Sequence, residues 1–196
     1  PFKKKYKGGC ILNNKRLLMM VEIAIFASIG LVLDQISFKI VPNGGSISLV
    51  MLPIVLIAIR WGIVAGLTTG LLLGIMQAMF GGYIIHWAQG LLDYAIAFTV
   101  VGFAGLMKPY VERAVKMQKQ WQVFLYFVIA TTIGGMLRFL AHLLAGVIFF
   151  SDAAGLQNPW LYSAIYNTTY IIPSIILTAV VIVLLFRASP RLLKLT

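Results

Sequence analysis

Acidic residues are scarce: five Asp and Glu stand against sixteen Lys and Arg in 196 residues, a formal net charge of +11. Charged residues of all kinds make up 11% of the chain, whereas a soluble domain carries roughly 25%, and 61% of the residues are hydrophobic. Water cannot solvate so much apolar surface, but a bilayer can. With one cysteine, Cys10, no internal disulfide is possible. Gly8, Gly9 and Cys10 have the look of a lipoprotein signal, yet the residues before them are Lys-rich rather than apolar, so Cys10 reads as a juxtamembrane thiol. The first apolar run lacks a small-residue cleavage site after it, so no cleavable signal peptide is expected. Two histidines, His86 and His142, and no ligand-spaced cluster leave no metal site to predict. No Gly-x-Ser-x-Gly elbow supports Ser163 and His142 as a nucleophile and base. No Gly-x-x-x-x-Gly-Lys loop is present to cradle a nucleotide. The reading is therefore no catalysis, no cofactor, and no means of hydrolysing ATP within the chain.

What the chain does hold is a series of apolar runs. They span Leu17 to Leu33, Leu49 to Ile59, Ile63 to Phe80, Trp87 to Met107, Trp121 to Phe150 and Leu161 to Phe186. A spanning helix needs about 20 apolar residues, so six helices with short loops consume nearly everything. The fold class expected is an all-α integral membrane bundle of six transmembrane helices. It forms one membrane domain over 1–196: a basic segment 1–15, a bundle 16–187 and a basic tail 188–196. Asp34 to Ser48 is a polar connection with Pro42, Asn43, Gly44 and Gly45 as turn formers. Arg60-Trp61-Gly62 is a tight turn, and Lys108 to Gln120 is a charged loop.

Cations set the orientation. Fourteen of the sixteen Lys and Arg fall in the N-terminal segment, at Arg60, in the 108–120 loop and in the tail. Only Lys39 lies on the opposite side, and Arg138 lies within a run. Six crossings put both termini on the positive side, the cytoplasm. A five-crossing alternative with a re-entrant second run breaks that split. The same clustering between apolar runs makes the charge a topology signal, not a nucleic-acid footprint. Gly62, Gly66, Gly70 and Gly74 share one helix face, either a moving or partner-facing surface or, preferably, packing inside the bundle. Ala24 and Ser28, with Ala27 beside them, repeat the pattern weakly on the first helix.

Ionisable residues inside spans mark function by default. Asp93, Arg138 and His142 qualify; Glu22, about one turn into the first helix, is read as structural, within reach of Arg16 or water. Counted from the outer ends of their helices at 1.5 Å per residue, Asp93 and Asn167 lie about 9 Å deep and His142 about 12 Å. Three helices thus offer polar groups at one level, as a pocket opening outward needs. Tyr83, Tyr94, Phe150, Trp160, Tyr162 and Tyr166 lie near it and suit a flat ring or delocalised cation. The ligand implied is small, aromatic and cationic. The alternatives are an Arg138–Asp93 ion pair that only holds the bundle, and an interfacial belt for Trp87, Trp121 and Trp160.

Four segments carry a family resemblance: Val21 to Ala27, Leu91 to Phe98, Arg138 to Phe150, and Trp160 to Asn167. Together they resemble the thiamine-specific substrate-binding component of energy-coupling-factor transporters, over roughly residues 15 to 187. The resemblance implies a thiamine site near the outer face and a bacterial cell membrane location. It also implies partnership with a transmembrane coupling subunit and two ATPase subunits. By position, the pyrimidine-binding carboxylate is Asp93, followed by Tyr94; the ligand histidine is His142, with Gly146 on its face. The helix-six pair is Tyr162 and Asn167, and the tyrosine before helix four is Tyr83. Asp93 stands where a family member has Glu, and Phe150 where Trp is expected. The first outer loop lacks a lid Trp, for which Phe38 is the nearest substitute. The coupling motif on the first helix becomes Ala24 to Ser28. Riboflavin, biotin or a hydroxymethylpyrimidine are the other ligands weighed, and a non-transport bundle protein the other class.

Overall fold

The computed structural model describes residues 14–39 and 45–188. Cys10, most of the basic N-terminal segment, the turn formers Pro42 to Gly44 and the tail from 189 lie outside the described residues. Six helical segments follow in order: α1 (Asn14–Gln35), α2 (Met51–Trp61), α3 (Ile63–Met79), α4 (Trp87–Lys116), α5 (Gln120–Phe149) and α6 (Pro159–Ala188). α1, α4, α5 and α6 are long and apolar enough to cross a membrane. α2 and α3, with 11 and 17 residues, are shorter. Between α1 and α2 lies a two-residue antiparallel pair, β1 (Phe38–Lys39) on β2 (Ser46–Ile47).

Two boundaries differ from the sequence reading. α1 runs to Gln35, so Asp34 belongs to its last turn and not to the polar connection. The expected charged loop from Lys108 is helical to Lys116, because Val111 and Ala114 bury one face while Lys108 and Glu112 pair at 3.7 Å across one turn.

α2 is apolar on every side and correspondingly enclosed: Met51, Ile54, Val55, Ile57, Ala58 and Ile59 are all fully buried. Pro53 sits in its first turn, where the missing N–H costs no helical bond. Gly62 joins α2 to α3 at φ +104°, a conformation that excludes side chains. The glycine face of α3 packs on α4. A Cβ on Gly66, Gly70 or Gly74 would strike the backbone at Gly102, Phe98 or Tyr94, and Gly102 of α4 abuts the backbone at Gly66 and Leu67 in return. Close backbone approach through small residues is the ordinary means of helix association in a bilayer, so this face is internal packing.

Apart from Lys39 and Arg138, the described cations gather at one end. Glu22 bonds Arg60 at 2.7 Å and accepts from Trp61 Nε1 at 2.6 Å, so its partner is the α2–α3 turn and not Arg16. Lys108 lies 3.8 Å from the Gly62 Cβ position, and the Arg187 guanidinium covers Phe124 near the start of α5. The opposite end, made by the end of α1, the 80–86 connection and the 150–159 connection, encloses a cavity.

Candidate functional site

The cavity holds about 320 Å³, within the range of small-molecule sites, roughly 300–1,000 Å³. Local helix geometry sets its floor. Residues Leu91–Ile96 of α4 form a π-helical stretch in which Ala97 N–H donates to Leu92 O, a widened turn of the sort that recurs at functional sites. It carries Asp93 and Tyr94. One turn earlier Gln89, which is buried, donates from Nε2 to Asp93 Oδ2 at 2.6 Å and to Tyr83 O at 3.1 Å, and its Oε1 accepts from Ile85 N–H at 3.1 Å. Gln89 therefore fixes both the carboxylate and the connection that frames the mouth.

The other Asp93 oxygen meets His142 Nδ1 at 2.8 Å. Arg138, one turn away on α5, donates from Nε to His142 Nε2 at 3.3 Å. A guanidinium only donates, so Nε2 accepts, and the ring proton resides on Nδ1, pointing at Asp93. The result is a chain Arg138–His142–Asp93–Gln89 across α4 and α5. Arg138 thus reaches Asp93 through the imidazole, and its guanidinium also covers Phe98 at 4.4 Å. Asp34 from α1 lines the same cavity. Tyrosines aside, the ionisable groups lining it among the described residues are thus two carboxyls, Asp34 and Asp93, the Arg138 guanidinium and the His142 imidazole.

α6 supplies the facing wall. Asn167 donates from Nδ2 to Ser163 O at 2.8 Å and to Ser163 Oγ at 3.2 Å, and accepts from Tyr170 Oη. Ser163 Oγ in turn donates to Leu143 O at 3.0 Å. Tyr162 stacks on Tyr166 at 6.3 Å, and Tyr166 meets Tyr170 edge-on at 5.9 Å. At the mouth Tyr83 stacks on Phe150 at 6.4 Å. Tyr83 N–H donates to Tyr94 Oη at 2.7 Å, so Tyr94 braces the connection as well as facing the cavity.

Eight residues singled out from the sequence line this one space: Asp93, His142, Asn167, Tyr162, Tyr94, Tyr83, Gly146 and Phe150. Gly146 also has a packing role, since a Cβ there would collide with Ser163 Oγ and push α6 away. Trp160 and Phe38 do not line the cavity. Trp160 occupies the first turn of α6 with its side chain half-exposed on the outside, and Phe38 in β1 is 76% exposed. Trp160→Leu is accordingly expected to leave ligand affinity within about twofold by calorimetry, as for a residue away from the contact.

Sequence reasoning passed over Asp34, Gln77, Gln89 and Tyr170. Gln89 was accessible through its four-residue spacing from Asp93, and Tyr170 through its three-residue spacing from Asn167. Asp34 and Gln77 carry no such local signal. Among the described residues no group of His, Cys, Asp and Glu is placed to hold a metal ion.

On α1, Ala24, Ile25, Ser28, Ile29 and Val32 line a shallow apolar groove on the outside of the bundle. Ala27 is 1% exposed and faces inward, so it is no part of that surface. It stands about 60° round the helix from Ala24 and about 100° from Ser28.

The family model described as thiamine transporter protein matches residues 20–194. The thiamine transporter ThiT of Bacillus subtilis is 43% identical over 186 residues, covering 93% of this chain and 97% of its own length. ThiT of Lacticaseibacillus paracasei is 32% identical over 185 residues, covering 92% of each. A solved structure of ThiT from Listeria monocytogenes superposes with a TM-score of 0.86 at 31% identity, covering 92% of this chain and 99% of that one.

Proposed function

We infer a function from one premise: this chain belongs to the thiamine transporter family. It is a multi-pass bacterial membrane protein of a family of transporters, not enzymes. In our reading it captures thiamine in the cavity at the end of the bundle remote from the Arg60 turn and the Lys108–Lys119 segment. The observation that carries this is the Asp93–His142 pair at 2.8 Å, in an aromatic-lined space. Thiamine brings one positive charge on its thiazolium and an aminopyrimidine whose amino group and ring nitrogen match a carboxylate. The Asp93 carboxyl suits a monocation, and the tyrosine faces suit both rings.

The site residues proposed for the ligand are Asp93, His142, Asn167, Tyr162, Tyr94, Tyr83, Gly146 and Phe150. Six crossings with both termini in the cytoplasm place the cavity at the extracellular face, supported by the positive-inside bias. The chain carries no nucleotide loop, so uptake against a gradient needs a separate energising module. We assign that role to a transmembrane coupling subunit with two ATPases, docking where Ala24 and Ser28 open the α1 surface.

The test is titration calorimetry on the protein purified in detergent. Thiamine is expected to saturate one site per chain, with riboflavin and biotin failing to compete. Saturable binding of either competitor in its place, or no thiamine binding, refutes the ligand assignment.

A further inference from the structure

Three of the buried hydroxyls in this bundle are satisfied locally: Thr69, Thr131 and Ser174 each donate to the carbonyl four residues back. Gln77 is different. It is 7% exposed on an apolar helix, and its Oε1 has no hydrogen-bond partner. A buried amide oxygen left unpaired costs roughly as much as a lost hydrogen bond, so a Gln with an unmatched acceptor is a poor choice for packing where Leu or Met would serve. Ser48 and Thr178 also have unpartnered buried hydroxyl oxygens, but neither lines the cavity, whereas Gln77 does. Its position on α3, three residues past Gly74 and one turn from that residue's close approach to Tyr94, puts it on a different element from Asp93, His142 and Asn167.

We propose that Gln77 is a second recognition group of the cavity, reading a hydroxyl of the ligand that Asp93 does not engage. The inference rests on the thiamine reading above and deepens it. An end-for-end turn of the carboxamide exchanges donor and acceptor with little change of shape. A hydroxyl, which donates and accepts, is matched by either orientation. Thiamine carries such a group on its hydroxyethyl arm, at the far side of the molecule from the aminopyrimidine. Gln77 is then a specificity residue: it favours ligands bearing a hydroxylated arm over those ending in a hydrocarbon.

Calorimetry with two ligands tests this, thiamine and its analogue with ethyl in place of hydroxyethyl. Wild-type protein is expected to prefer thiamine about tenfold. Gln77→Met is expected to lose about tenfold for thiamine but less than about twofold for the ethyl analogue, collapsing the preference. A merely structural Gln77 would weaken both ligands alike, and that outcome overturns the proposal, as does unchanged thiamine affinity in Gln77→Met. If the variant does not fold, the wild-type comparison alone decides: equal affinity for the two ligands overturns the proposal and a tenfold preference supports it. Thiamine binding that is indifferent to Gln77 removes this inference alone, whereas no thiamine binding by wild-type protein removes the ligand assignment with it.

Discussion

Asp93→Ala is expected to lower thiamine affinity about a hundredfold, which corresponds to roughly 3 kcal/mol for loss of a buried charged partner. Three effects combine. The substitution removes the carboxyl proposed to face the ligand, and with it an acidic partner for a monocation in a part-buried space. It also leaves His142 Nδ1 and one Gln89 donor without their acceptor. Asp93→Asn separates these contributions. An amide preserves the shape and one acceptor but removes the charge, so it is expected to fall between wild type and Ala. Thermal unfolding of the apo protein should register those orphaned donors, at about 1–3 kcal/mol each, in Asp93→Ala. Affinity within threefold of wild type in Asp93→Ala, measured by calorimetry, would show that the ligand does not meet this carboxylate.

Gly70→Val abolishes the folded protein. The first atom of any side chain at this position would overlap the Phe98 carbonyl and approach Thr99 Cα at 2.9 Å. Those are backbone atoms of α4, so no rotamer change relieves the clash, and the helices must separate. Separation undoes neighbouring contacts as well, because Gly66, Gly74, Gly102 and Gly105 rely on the same spacing. Overpacking of a flexible core costs about 1–3 kcal/mol; here the cost exceeds about 4 kcal/mol, the range of exceptional single substitutions. Size-exclusion chromatography of the detergent extract should show aggregate in place of a monodisperse peak. Thr68→Val, on the exposed side of the same helix, should behave as wild type within about 0.5 kcal/mol. A monodisperse Gly70→Val protein with wild-type melting would mean the seam is loose enough to yield.

Much of the site was legible because depth along a helix is linear in residue number. Asp93, His142 and Asn167 could be placed at one level by counting from the ends of apolar runs, and they do line one cavity. What counting does not give is the rotation of each helix about its axis. Trp160 and Tyr162 are two residues apart, some two hundred degrees around α6, and only Tyr162 turns inward. Ala27 and Ala24 were separated in the same way, one packed inside and one on the groove. The π-helical stretch at Leu91–Ile96 is invisible to a periodicity argument, since one widened turn shifts every residue after it without altering composition.

By itself the sequence determined that the chain is a membrane bundle, because 61% hydrophobic residues in long runs admit no other solvent. It also determined which end bears most of the cations. Only the tertiary structure decided that the acid is held by Gln89 and faced by His142, that Arg138 acts through the imidazole, and that Asp34 and Gln77 share their space. The physical reason is that transfer of a side chain into a bilayer depends on its own composition and depth. Hydrogen bonds instead depend on atoms meeting within about 3 Å, and for residues on separate helices that is settled only when the helices pack.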